Sequence, residues 1–313
     1  MTLRTPNPYR SYQSVLDFHR SKERLATRQE QITKDKRITR LSDDPTSAAL
    51  IMDFQTSIER NKMYVKQGQS AASFLKGTES ALNTVETQID RLLELGQQGL
   101  SDVTGPKGRE AIAAEVDGIF TIIFDVSNTK EQGKYIFGGT RTQTLPFTRT
   151  ATGADYHGNT GNIDLDISST TTVTTNLSGG WVFQGNVVET PPGSGIWVPS
   201  NPNDDLFAAV RELSDGLIAD NPAMIKHAYD NIREIKNRIN VCLTVVGARE
   251  LSIDSTETNL EDFNETLQSI QNTYEAPDYP WTITQMMAEM SSQQASLSVI
   301  AKMGRYSLFD YIG

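Results

Sequence analysis

The residues whose types could do chemistry in this chain are few: three histidines, one cysteine and some neighbouring carboxylates. His19, His157 and His227 lack any metal-type spacing, and the sequence contains no His-Glu-x-x-His, no P-loop and no Gly-x-Gly-x-x-Gly opening a helix. Asp155, His157, Asp164 and Asp166 are the one titratable cluster. Strand alternation turns Asp164 and Asp166 away from Ile163, Leu165 and Ile167, toward solvent. Adjacent Asp43 and Asp44 would serve acid–base chemistry only in a cleft that pushed their proton affinities apart. In Ser42-Asp43-Asp44-Pro45 they read instead as a helix cap, with a carboxylate satisfying backbone N–H groups and proline at the first helical position. Gly138-Gly139 follows Tyr135-Ile136-Phe137 and leads into Thr140-Arg141, which predicts a strand-exit turn rather than a phosphate cradle. No serine has a paired histidine, and Cys242 falls on a helical seam as a small buried hydrophobe. The expectation is a chain with no catalytic residue, no metal site and no cofactor.

Composition agrees with a non-enzymatic role. Of 313 residues, 37% are hydrophobic and 8% aromatic, a low share that points to thin, elongated packing. The formal charge of −10 argues against a chain-wide nucleic-acid or anionic-membrane footprint. Basic residues crowd the N-terminal helix, but its aromatics are not interleaved with them as a stacking platform, so a protein contact is the better reading. No apolar run is long enough to cross a membrane, and MTLRTPNPYRSY lacks the apolar centre of a secretory signal.

The elements that would position any site are long helices. From Ile225 through Ala228, Ile232, Ile235, Ile239, Cys242 and Val246, and on to Ile253, Leu260, Phe263, Leu267, Ile270 and Tyr274, apolar residues recur every three or four positions. This predicts a coiled-coil-type helix of roughly 75 Å, starting at Asn221-Pro222 and ending before Pro277. Ile112, Val116, Ile119, Ile123 and Val126 make a second seam, the stretch from Ile51 to Leu92 a third, and Leu206 to Leu217 a shorter helix. Between Gly138 and Asn203, Thr and Gly rise and Lys is absent, predicting a β segment in which Ser178-Gly179-Gly180 turns before Trp181-Val182-Phe183. The fold class expected is mainly α: an elongated antiparallel helical rod, coiled-coil-like, with a small inserted β domain.

Neither chain end is self-sufficient. Phe18, Leu25 and Ile32, with Tyr12 and Val15 before them, give a narrow stripe near the N-terminus. Near the C-terminus, Ile283, Met286, Met287, Met290, Leu297, Ile300 and Met303 give a Met-rich stripe that runs on to Leu308, Phe309 and Tyr311. These residues are the candidate subunit interface, since each stripe needs another helix to cover it. Residues 10–40 hold nine Lys/Arg against four Asp/Glu, whereas 241–275 hold one against seven, which would help select register.

Four strings carry a resemblance: KDKRITRLSDDPTSAA at 34–49, GKYIFGGTRTQTLPF at 133–147, VGARELSID at 246–254 and QQASLSVIAKMGRYSLFDYIG at 293–313. In order and in distance from the ends, they resemble the flagellin-like hook-filament junction proteins of the bacterial flagellum. The Leu308-Phe309-Asp310-Tyr311 ending favours a junction protein over flagellin itself. The resemblance implies a secreted, structural, motility-related protein exported by the flagellar type III apparatus with an export chaperone. It implies assembly as a ring of copies between the first junction protein and flagellin, with no nucleic acid and no membrane insertion. The corresponding division would be 1–41 as an N-terminal polymerisation helix, 42–137 and 205–276 as two parts of the rod, 138–204 as the β domain and 277–313 as a C-terminal polymerisation helix. A flagellin-type filament subunit, or an adhesin or enzyme using the β domain, are the alternatives.

Overall fold

The computed structural model describes the backbone of residues 8–191 and 197–312, and side chains over 12–191 and 197–301. Two compact units emerge: one from residues up to Arg60 together with those from Asp262 onward, the other from Asn61–Glu261. The fold is mainly α. Its long helices are α1 (Pro8–Lys34), α2 (Pro45–Leu100), α3 (Pro106–Ser127), α6 (Pro222–Glu275) and α7 (Tyr279–Ile312). Proline opens α2, α3 and α6, where its missing N–H costs nothing and its fixed φ favours the first turn. Asn221 Oδ1 accepts the N–H of Ala223 at 3.1 Å, capping α6.

In the Asn61–Glu261 unit, α2, α3, α5 (Leu206–Ile218) and α6 are antiparallel neighbours. Gln69 meets Glu257 at 2.6 Å and Asp90 meets Lys236, so α6 descends as α2 rises. Asp117 of α3 takes Arg211 and Ser214 of α5, both at 3.2 Å. The α6 seam from Ile225 to Val246 is at most 1% exposed, and it shares one core with Leu75, Leu82, Val85, Ile89, Leu92 and Leu95 of α2. Burial of each Ile and Val contributes about 1.5–3 kcal/mol. Arg249, the charged seam position, donates to the Asn176 carbonyl at 2.9 Å and so ties α6 to the insert. Cys242 is fully buried, and burial pushes its thiol up to about 12.

The insert between α3 and α5 holds three small antiparallel sheets rather than one. They are β1 (Lys130–Glu131) with β2 (Lys134–Tyr135); β3 (Phe147–Arg149), β4 (Ala154–Tyr156), β8 (Trp197–Pro199) and β7 (Val187–Glu189) in that spatial order; and β5 (Asp164–Asp166) with β6 (Thr172–Thr174). Gly139, at φ +66°, forms the expected turn beside Asn159, whose carbonyl oxygen would lie 2.2 Å from any added Cβ. Phe137, Phe147, Tyr156 and Phe183 fill the insert, and Phe207 of α5 stacks into them, with ring centroids 5.2 Å from Phe147 and 5.6 Å from Phe183. The insert therefore shares the helices' core.

One expectation is corrected here. Ser178-Gly179-Gly180 does not turn into an extended Trp181-Val182-Phe183; Gly179–Gln184 forms helix α4. The cause is tertiary. A Cβ on Gly179 would lie 2.6 Å from the Phe137 carbonyl oxygen, so the glycine lets this segment press onto the core. Arg238 of α6 then closes the helix's carbonyl end, donating to Val182 O at 3.1 Å and Phe183 O at 3.3 Å.

Asp205 caps α5 from inside this core, accepting from Phe207 N at 2.8 Å, Ala208 N at 3.1 Å and Gln184 Nε2 at 3.0 Å. Burial raises its carboxyl to about 6, opposed by those hydrogen bonds. The native state thus holds this proton more tightly than the unfolded chain does. The stability tied to it is complete below the unfolded value near 4 and is lost as pH rises through 6, by about 3 kcal/mol. Asp205→Asn keeps the acceptor but cannot ionise. Urea unfolding at pH 4 and pH 7 should show the variant gaining about 2 kcal/mol on the wild type between the two; a constant difference refutes the raised carboxyl.

Candidate assembly interface

The candidate interface lies in the unit that contains both chain ends, and a loop anchors it. Asp35, at φ +55°, ends α1, and the chain returns along residues 36–44. There Arg37 N–H donates to the Glu275 carbonyl at 2.6 Å, and Lys36 pairs with the Glu275 carboxylate at 3.0 Å. Among the cap residues, Asp44 Oδ1 accepts Ser47 N at 3.1 Å in front of Pro45, and Asp43 accepts the N–H groups of Thr39 and Arg40 at 3.2 and 3.0 Å. Hydrogen bonds from Ser47, with Arg37 beside it, hold the Asp44 carboxyl below the usual carboxylate range. Ser42 is exposed in the same turn.

Helices α1 and α7 pair antiparallel. Ser21 Oγ donates to Glu289 Oε2 at 2.9 Å, Arg24 Nε donates to Glu289 Oε1 at 2.6 Å, and the Arg28 guanidinium lies 4.7 Å over the Trp281 ring. Tyr279 donates its hydroxyl proton to Asp35 at the loop end. The hydrogen bond from Arg24 lowers the Glu289 carboxyl, and the same bond raises the Arg24 guanidinium. Phe18, Leu25 and Ile32 share the helical face of Ser21 and Arg28 and are half-buried.

On α7 the face toward α1 is largely polar. Thr282 is 2% exposed, and Gln285, Met286, Glu289, Gln293, Ser296 and Ile300 follow on the same face, half-buried. Ile283, Met287, Met290 and Leu297 fall 60–140° around the helix from Thr282, at about 100° per residue, and remain 38%, 61%, 50% and 50% exposed. The pair thus buries its hydrogen-bonding groups and leaves its apolar stripe uncovered. Tyr12 and Val15 are exposed on α1 as well. Met303, Leu308, Phe309 and Tyr311 lie outside the residues whose side chains are described.

Further exposed apolar groups adjoin this surface without having been singled out from the sequence. Trp281 and Val299 flank α7 on its other side, and Leu41 projects from the loop. Trp281 was hidden by Pro277 and Pro280, which read as a helix stop. The α6 seam, continuous in sequence, loses its cover toward its C-terminal end: Phe263 is 52% and Ile270 39% exposed, although Leu267 is buried.

The catalytic candidates do not converge. His157 meets Thr148 Oγ1 at 2.7 Å, Asp164 and Asp166 accept from Thr174 and Thr172 at 2.6 and 2.8 Å, and His227 meets Glu212 at 2.9 Å. Among the described residues, no group of three or more His, Cys, Asp or Glu could hold a metal ion, and no helix is long and apolar enough to cross a membrane.

The chain is similar to known proteins of the bacterial flagellum. Residues 11–142 match the bacterial flagellin N-terminal helical region. Flagellar hook-associated protein 3 of Salmonella typhimurium is 27% identical over 297 residues, 90% of each chain, and that of Escherichia coli K12 is 25% identical over 294 residues, again 90% of each. Among solved structures, a putative flagellar hook-associated protein from Vibrio parahaemolyticus superposes with a TM-score of 0.65 at 14% identity, covering 75% of this chain and all of that one. The flagellar junction protein FlgL of Legionella pneumophila gives 0.60 at 16% identity, covering 72% and 99%. These structures establish the fold alone.

Proposed function

We infer that this chain, a flagellin-like protein of the hook-associated protein 3 type, is a structural subunit of the bacterial flagellum at the junction between hook and filament. The observation that carries the assembly mechanism is the facing of α7: hydrogen-bonding groups toward α1, Ile283, Met287, Met290 and Leu297 outward. A helix whose apolar stripe has coiled-coil spacing and stays 38–61% exposed among the described residues is suited to being covered by neighbours. We assign Tyr12, Val15, Phe18, Leu25 and Ile32 of α1, and the α7 stripe on through Met303, Leu308, Phe309 and Tyr311, to subunit contacts. The neighbours proposed are copies of this chain in a ring, the first junction protein on the hook side and flagellin on the other. Before assembly, the same stripe is the surface an export chaperone would shield on the way to the type III apparatus. The proposed domain division follows: residues 1–41 and 277–313 polymerise, 42–137 and 205–276 carry the helices, and 138–204 hold the β insert. The reading gives the chain no catalytic role.

Deleting the gene tests it. Cells should keep complete hooks, lose swimming and release flagellin into the medium, and a plasmid copy should restore filaments. Filaments that remain attached to hooks without this chain would overturn the assignment.

A further inference from the structure

Helix α6 carries an acidic stripe. Glu250, Asp254, Glu257 and Glu261 fall within an arc of about 60° over about 16 Å of helix. Three of them border a groove of about 1030 Å³ between α2 and α6, with Glu131 on its other wall and Ala72, Gly77 and Gly247 among its lining residues. At Gly247 an added Cβ would meet nothing within 4 Å, which leaves room for a long side chain from outside, whereas Gly77 is packed under Glu131 and Lys76 also lines the groove. Glu250 shows that the groove is incompletely satisfied: its Oε1 is buried without a hydrogen-bond partner. Burial and the like charge of Glu79 raise its carboxyl above the ordinary range, with Lys76 opposing them. A cationic donor entering the groove would satisfy that oxygen and relieve both effects.

The same chain carries a counterpart. Arg20, Arg24 and Arg28 follow at four-residue spacing on α1, over about 12 Å and within an arc of about 80°. Arg20 and Arg24 side chains are 65% and 55% exposed. Arg40 adds a cation from the loop and has no side-chain hydrogen bond or ion pair among the described residues. Among the described residues Arg20 pairs with Asp17, at 3.9 Å. Glu257 accepts from Gln69 Nε2 at 2.6 Å and has a second carboxylate oxygen to offer.

We propose that the arginine face of α1 and its loop, centred on Arg20 and Arg40, docks on the acidic α2–α6 groove of a second copy of this chain. The two patches oppose in sign and belong to one sequence, so every copy brings both halves; Arg24 is already held by Glu289 and Arg28 by Gln31 and Trp281, which leaves Arg20 and Arg40 as the cations to be shared. Two different patches meeting in this way make a heterologous contact, which repeats from copy to copy and closes into a ring or continues as a helix. Arginine suits the groove because its planar fork can serve two carboxylates, and its stem can lie against the small residues between them. The contact deepens the structural role above and rests on it: it gives that role a register and a direction around the ring, while the α7 stripe supplies most of the adhesion.

Sedimentation of the full purified chain at low and high ionic strength, with two charge reversals, tests this. Arg20→Glu with Arg40→Glu, and separately Asp254→Lys with Glu257→Lys, should each weaken self-association about tenfold at low salt. An equimolar mixture of the two variants should restore it, because alternating copies then present opposite charges at both contacts. Circular dichroism checks that each variant is folded, and restoration by mixing guards against a folding artefact. Association unchanged by both reversals, or weakened but not restored by mixing, overturns the contact. In a strain lacking the gene, the wild-type chain must restore filament attachment. If it does and both reversed chains do too, this contact falls and the structural role stands; if the wild type itself fails, the role falls.

Discussion

Removal of residues 284–313 should leave the Asn61–Glu261 unit folded and abolish filament attachment. That unit's core lies on α2, α3, α5, α6 and the insert, and no described residue from 284 onward is among its core residues. What is lost is Met287, Met290 and Leu297, which are half or more exposed in the single chain. Covering the exposed half of each would gain about 1–1.5 kcal/mol, before ordering and association costs are subtracted. Glu289 also goes, leaving Ser21 and Arg24 of α1 without the partner that holds α7 in place. A truncated chain melting like the full one but failing to restore swimming is the expected result. Swimming cells carrying the truncation would show that assembly does not depend on this surface. Met287→Glu with Leu297→Glu is the finer version, keeping the helix and its polar face while charging the stripe.

Phe207→Ala should be the most damaging single substitution in the Asn61–Glu261 unit. Its ring is 1% exposed and lies within 5.2–6.3 Å, centroid to centroid, of Phe120, Phe124, Phe147 and Phe183. Truncation leaves a cavity where α3, α5 and the insert meet, at a cost of about 3–5 kcal/mol. For a unit of this size that lowers Tm by roughly 10 °C, measurable by calorimetry. A loss below about 1 kcal/mol would mean that the insert's core and the helices' core are energetically separate.

The fold was legible where periodicity ran long. The α6 seam buried as its spacing indicated from Ile225 to Ile253, and Asn221-Pro222 marked its start, because a helix of this length repeats its signal many times over. Short elements were not legible. Helix α4 has six residues, too few for a period to show, and its conformation depends on Arg238, distant in sequence. The Thr170–Thr175 run divides into a turn, where Ser168 Oγ accepts Thr171 N at 2.9 Å, and strand β6; composition alone gave no boundary. At the interface, sequence identified the α7 stripe but not which way it faces. Spacing said only that the stripe needs cover from another helix; Glu289, reaching Ser21 and Arg24, leaves Ile283, Met287, Met290 and Leu297 outward while Met286 and Ile300 stay on the α1 side.

Cys242 gives the molecule an unexpected property for life in an oxygenated medium. Burial raises its thiol well above the ordinary range and leaves it no exposed surface, so the reactive thiolate is suppressed at neutral pH and the packed helices around it block approach. Peroxide, metal-catalysed oxidation and disulfide exchange therefore have no purchase on it while the helices stay closed. Two chains brought side by side outside the cell cannot become accidentally cross-linked through sulfur, and the rate at which an alkylating reagent finds this atom reports how often the surrounding helices breathe.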